Sequence, residues 1–123
     1  MPTVLLVDDS PVVRRVLARR LESEGFDVRE EGSAAAARGV DAASLDCAII
    51  DVELADGFGG DVAAELRGRR PSLPIAFFTA GAGAPLVEQA RAHGPVFTKP
   101  DVEAIVAWVT SAPAGAPQPP PTK

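Results

Sequence analysis

Five short apolar runs alternate with stretches of helical spacing, and this alternation restricts the fold more than any other feature of the chain. The runs cover about residues 3–7, 26–30, 46–50, 74–78 and 95–98. Strand–helix repetition of this kind predicts an α/β domain, a parallel sheet with helices on both faces. The run at 46–50 is apolar at nearly every position, as a strand covered on both sides must be. The run at 26–30 alternates Phe26 and Val28 with Asp27 and Arg29, which suits a sheet edge. In such sheets ligands bind beyond the carboxyl ends of the strands.

Polar residues stand at those ends. Asp8 and Asp9 follow Val4-Leu5-Leu6-Val7, Asp51 follows Ala48-Ile49-Ile50, Thr79 follows Ile75-Ala76-Phe77-Phe78, and Lys99 follows Val96-Phe97-Thr98. If the strands are parallel neighbours, these side chains share one crevice. Three carboxylates together suit a hard cation such as magnesium, which takes oxygen ligands and keeps several waters. Without a cation they repel one another. A carboxylate can also act as nucleophile toward a phosphoryl donor, with Lys99 and Thr79 supplying a charge and a hydroxyl to the phosphoryl oxygens. Taken singly, each residue has a plainer explanation: a helix cap, a turn, a strand end, a solvated lysine. The set, in this order and on these elements, points to a phosphoryl-transfer site.

The helices carry their own signals. Ser10 and Pro11 form a cap and a first-turn proline, Val13, Val16, Leu17 and Leu21 repeat at helical spacing, and Gly25 supplies a stop. Arg14, Arg15, Arg19 and Arg20 on the same helix form a solvated face by default, or a docking face for a partner. Ser33 is expected to cap an alanine-rich helix over about residues 34–43, and a glycine-rich loop, Asp56 to Gly60, leads to a helix through Val62, Ala63 and Leu66. Pro85 begins a short helix reaching about Ala92, and a last helix over about 101–110 turns Val102, Ile105, Val106 and Val109 inward, with Trp108 at the boundary. His93, the one histidine, is a polar residue near a helix end, and Cys47 is a small core residue. The segment 112–123, with Pro113, Pro117 and Pro119 to Pro121, is expected to be a disordered tail.

Composition narrows the classes. The 123 residues suit one domain, and the net charge of −5 argues against a nucleic-acid surface. No apolar run approaches the roughly 20 residues a membrane-spanning helix needs. No leader segment is expected, and one cysteine allows no internal disulfide.

The sequence resembles the receiver domain of bacterial two-component response regulators. The matching motifs are Val-Leu-Leu-Val-Asp8-Asp9-Ser, Ala-Ile-Ile-Asp51, Phe-Phe-Thr79-Ala80 and Phe-Thr-Lys99-Pro100, together with Gly59 eight residues past Asp51. The resemblance implies a flavodoxin-like (βα)5 receiver domain over residues 1–111, with a five-stranded parallel sheet of order 2-1-3-4-5. It implies that Asp51 is the phosphorylation site, taking its phosphoryl group from a phosphohistidine on a sensor histidine kinase or histidine phosphotransfer protein. Asp8, Asp9, Asp51 and the backbone carbonyl of Glu53 would hold Mg²⁺ or Mn²⁺, while Thr79 and Lys99 would bind the phosphoryl oxygens. The Lys99–Pro100 bond would be cis, and the first helix would lie at the kinase-docking surface. The implied protein is a cytoplasmic, phosphorylation-dependent switch, not a dedicated enzyme. It would signal through an unknown protein target or a phosphorelay. The residues after 110 are expected to form no output domain, so the chain is a stand-alone receiver or one cut from a longer protein, and its composition argues against direct nucleic-acid contact and membrane insertion.

Three departures from the family pattern carry expectations. The position three before the lysine, usually aromatic, is Val96; Phe97 follows and should face the other side of the sheet. Ala55 replaces a usual proline four residues after Asp51, and the stretch from Thr79 to Lys99 is short with a Gly/Ala-rich start, so the fourth helix should be short or mobile. Glu53 occupies a place the family varies to tune dephosphorylation. A scaffold that binds a partner without phosphorylation is the alternative function. Enzymes on similar folds fit less well: Asp8-Asp9 would repel a flavin phosphate, and Asp8-Asp9-Ser10 lacks the Asp-x-Asp of a haloacid-type phosphatase.

Overall fold

A computed structural model describes residues 2–99 and 101–111. The proposed cis bond at Pro100 and the proposed tail at 112–123 lie outside the described residues. Five parallel strands, β1 (Thr3–Val7), β2 (Asp27–Glu31), β3 (Cys47–Ile50), β6 (Ile75–Thr79) and β7 (Val96–Thr98), form one sheet in the order β2-β1-β3-β6-β7. Numbered within that sheet, the order is the expected 2-1-3-4-5. Two further two-residue strands, β4 (Glu53–Leu54) and β5 (Gly57–Phe58), pair antiparallel beyond the end of β3.

The sheet divides the core by the two-residue strand period. Leu5, Val7, Ala48, Ile50, Ile75, Phe77 and Val96 face α2 (Ala34–Arg38), α3 (Gly59–Arg69) and α4 (Ala84–Arg91). Val4, Leu6, Cys47, Ile49, Ala76, Phe78 and Phe97 face α1 (Pro11–Ser23) and α5 (Val102–Ser111). Val96 and Phe97 therefore lie on opposite faces, as alternation requires. Central β3 is buried at all four positions, whereas β2, at the edge, has none fully buried. Each fully buried leucine or phenylalanine contributes about 1.5–3 kcal/mol relative to exposure, so this double layer supplies the main cohesion.

Helix ends follow local chemistry. The Ser10 hydroxyl accepts from the Val13 N–H and Pro11 occupies the first turn of α1. Gly25, at φ +97°, takes the left-handed conformation beyond its end. Three details differ from expectation. Helix α3 opens at Gly59, two residues inside the expected loop Asp56 to Gly60. Helix α2 stops at Arg38, because Gly39 closes it and the Asp41 side chain starts a separate 3-10 turn at Ala42–Ser44. Val16 does not face the core; it is 54% exposed, and the buried stripe of α1 is Leu17, Ala18 and Leu21. No helix among the described residues is long and apolar enough to cross a membrane.

Candidate functional site

The parallel registers bring the carboxyl ends of β1, β3, β6 and β7 to one edge. Val7 is level with Ile50, Ile50 with Phe77, and Thr79 with Thr98. Asp8 and Asp9 leave β1 there, Asp51 leaves β3, Thr79 ends β6, and Lys99 follows β7. His93 precedes β7 and so lies at the opposite edge from Lys99.

Asp8 and Asp51 are only 2% and 7% exposed, too buried to stand ionised without partners. The Lys99 ammonium supplies one to both, with Nζ 2.8 Å from Asp8 Oδ2 and 3.0 Å from Asp51 Oδ2. The second oxygen of each carboxylate accepts a backbone N–H: Ser10 donates to Asp8 Oδ1 at 2.8 Å and Glu53 donates to Asp51 Oδ1 at 3.3 Å. Burial pushes the Asp51 carboxyl above its ordinary value and Asp8 pushes the same way, outweighing the pull of Lys99 and Thr79 in the other direction. Burial would lower the Lys99 ammonium, but its bonds to Asp8 and Asp51 overcome this and hold it above its ordinary value.

Asp9 is exposed. One carboxylate oxygen each from Asp8, Asp9 and Asp51 lie within 4.8 Å of one another. An all-oxygen donor set, anionic and open on the Asp9 side, fits Mg²⁺ or Mn²⁺ better than a softer metal. Backbone packing fixes the loop that carries Asp51. The Gly59 N–H donates to the Val52 carbonyl at 2.7 Å, and a Cβ on Gly59 would run into the Asp51 carbonyl oxygen. Only glycine permits that approach.

Sequence reasoning did not find three supports of this edge. The first is the β4–β5 hairpin just beyond Asp51; its strands are too short to show periodicity. The second is Asp56 in its turn, which accepts from the Ala34 and Ala35 N–H groups at 2.8 and 3.1 Å, caps α2, and is held below the usual carboxylate range by those two bonds. The third is Arg14, whose Nη1 donates to the Asp8 main-chain oxygen at 2.6 Å. The arginine run on α1 signalled charge there, not this contact.

A family model described as the response regulator receiver domain matches residues 4–109. The photosynthetic apparatus regulatory protein RegA of Rhodovulum sulfidophilum is 37% identical over 79 residues, which are 63% of this chain and 43% of that protein. The probable transcriptional regulatory protein TcrX of Mycobacterium tuberculosis is 37% identical over 81 residues, 63% of this chain and 34% of its own. The chain thus spans less than half the length of these curated relatives. A crystal structure of a response regulator protein from Burkholderia pseudomallei, with a phosphorylated aspartic acid, calcium ion and citrate, superposes with a TM-score of 0.72 at 27% identity, covering 87% of this chain and 65% of that one.

Proposed function

The chain belongs to the response regulator receiver domain family, and from that premise we propose that Asp51 accepts a phosphoryl group from a phosphohistidine of a sensor histidine kinase or histidine phosphotransfer protein. An Asp51 carboxylate oxygen attacks phosphorus, the P–N bond breaks, and its electron pair returns to the donor imidazole. The product is an aspartyl-phosphate, hydrolysed later by water.

Asp8, Asp9 and Asp51, with the Glu53 backbone carbonyl, would hold Mg²⁺ or Mn²⁺. The cation, when bound, neutralises charge on the transferring oxygens. Lys99 gives its ammonium to one phosphoryl oxygen, and Thr79 gives its hydroxyl to another. The observation that carries the proposal is the Lys99 ammonium within hydrogen-bonding distance of both Asp8 and Asp51, beside an oxygen cluster that Asp9 completes. The phosphorylated aspartic acid and calcium ion of the Burkholderia relative support it.

Family members are signalling switches rather than dedicated enzymes. Here the switch acts in the cytoplasm, through protein–protein contact or a phosphorelay. The name of the Mycobacterium relative speaks of transcription, but an acidic chain of net charge −5 is suited to protein partners more than to DNA. A scaffold function without phosphorylation draws on one observation: Val96, not an aromatic side chain, lies on the α4 face of β7.

The test is to incubate the protein and Asp51→Asn with Mg²⁺ and a small acyl-phosphate donor, then measure mass. A base-labile gain of one phosphoryl group is expected in the wild type and not in the variant. A label that persists in Asp51→Asn overturns the assignment, and a lack of label in both favours the scaffold.

A further inference from the structure

Asp8 is held at every polar atom. Its N–H donates to the Glu31 carbonyl of β2 at 3.2 Å, its Oδ1 accepts from Ser10, and its Oδ2 meets Lys99. Its main-chain oxygen, the remaining atom, accepts from Arg14 Nη1. That oxygen belongs to the peptide plane joining Asp8 to Asp9, so the guanidinium fixes the direction in which the chain enters Asp9. Asp9 is exposed, and no hydrogen bond among the described residues holds its carboxylate. Its place in the oxygen cluster thus depends on the backbone beneath it.

Arg14 is itself aimed. Its Nε donates to Glu30 Oε1 at 3.2 Å, and Arg15 Nη1 donates to Glu30 Oε2 at 2.9 Å. Both Arg14 and Glu30 are about four-fifths buried, at 20% and 19% side-chain exposure. A Cβ on Gly32 would come 3.1 Å from Arg14 Nη1, so the turn after β2 also confines the guanidinium. A planar fork of donors serves a carboxylate and a carbonyl together in fixed directions, whereas an ammonium is a point charge with rotatable donors on a flexible stem.

We propose that Arg14, steered by Glu30, is a positioning residue for the cation site: it locks the Asp8–Asp9 peptide so that Asp9 stays in reach of the ion that Asp8 and Asp51 share. This rests on the cation site proposed above. Simple Coulomb attraction predicts the opposite sign, because loss of a positive charge beside a cation site should tighten cation binding. The sign therefore separates positioning from charge.

Mn²⁺ binding by electron paramagnetic resonance, alongside thermal melting without metal, tests the idea in wild type, Arg14→Met, Arg14→Lys and Glu30→Gln. Arg14→Met is expected to weaken Mn²⁺ binding about tenfold, the scale seen when partners behind metal ligands are lost. Arg14→Lys, at unchanged charge, is expected to weaken it similarly; should Arg14→Met fail to fold, this variant carries the test. Glu30→Gln is expected to produce a smaller loss. Unchanged or tighter Mn²⁺ binding in the folded Arg14 variants, with only the melting temperature lowered, overturns the proposal and leaves Arg14 a strut between α1 and β2. A wild type that binds no Mn²⁺ overturns the cation site itself.

Discussion

The Lys99 ammonium lies within 3.0 Å of two buried carboxylates, and each of the three groups changes what the others cost. Asp51 is raised by burial, so it binds a proton more tightly folded than unfolded. Its contribution to stability is complete below the ordinary 3.8 and is lost as pH climbs through the raised value. Lys99, raised by its two partners, stabilises the fold below 10.5 and loses that effect as pH climbs through its own raised value. Lys99→Met should leave two carboxylates buried without a counter-charge. We expect a lower urea midpoint at neutral pH, partly restored by Mg²⁺, and Asp51 labelling slowed about 10²-fold, the usual cost of one lost donor to developing charge. Labelling at the wild-type rate would remove Lys99 from the transfer step. Asp8, Asp9, Asp51, Thr79 and Lys99 were legible in the sequence because each is a polar side chain at the end of an apolar run. Arg14 and Glu30 were not, because a contact from a helix to a main-chain oxygen leaves no mark in side-chain pattern.

Among the elements, the junction of β3 with α3 is the tightest near the site. Gly59 opens α3 directly against the Asp51 main chain. Gly59→Ala should lower stability by about 1–3 kcal/mol, the range for forcing atoms into filled space, and should slow labelling by displacing the Asp51 backbone. Chemical denaturation and the acyl-phosphate assay measure the two effects; an unchanged midpoint would mean that α3 can draw back at no cost. The five main strands and the starts of α1 and α4 were readable from alternation, a cap and Pro11 or Pro85; α3 was not, because it opens at Gly59, inside the expected loop, with no side-chain cap to mark it. The extent of α2 was not. Four alanines favour helix equally well for one turn or three, and the stop came from Gly39 together with Asp41, which bonds to the Ala43 N–H instead of letting the helix continue. The outward face of Val16 also escaped, because Val13, Val16 and Leu17 all sit at helical spacing and only the neighbouring elements decide where the stripe is centred.

For the whole molecule, the sheet separates two apolar layers, and Cys47 belongs to the one covered by α1 and α5. Burial pushes its thiol from 9.0 up to about 12. The thiol thus adds stability that is complete below pH 9.0 and is lost as pH rises toward about 12. The urea midpoint should fall between pH 9 and 10, before Lys99 titrates, and Cys47→Ala should flatten that fall while lowering the midpoint overall. An equally steep fall in the variant would assign it to another group. At this scale the fold was the most readable property, since five strand–helix alternations admit few topologies.

The three residues of β7 make it the shortest strand of the main sheet, and it forms the sheet's border opposite β2. The side chain that follows it reaches across β6 to Asp51 and on to Asp8. One tether therefore moors an outer margin to the middle of the molecule. Any new anion that draws the Lys99 ammonium aside also tugs on that margin, so news of the event can travel outward along the main chain with no turning aromatic ring.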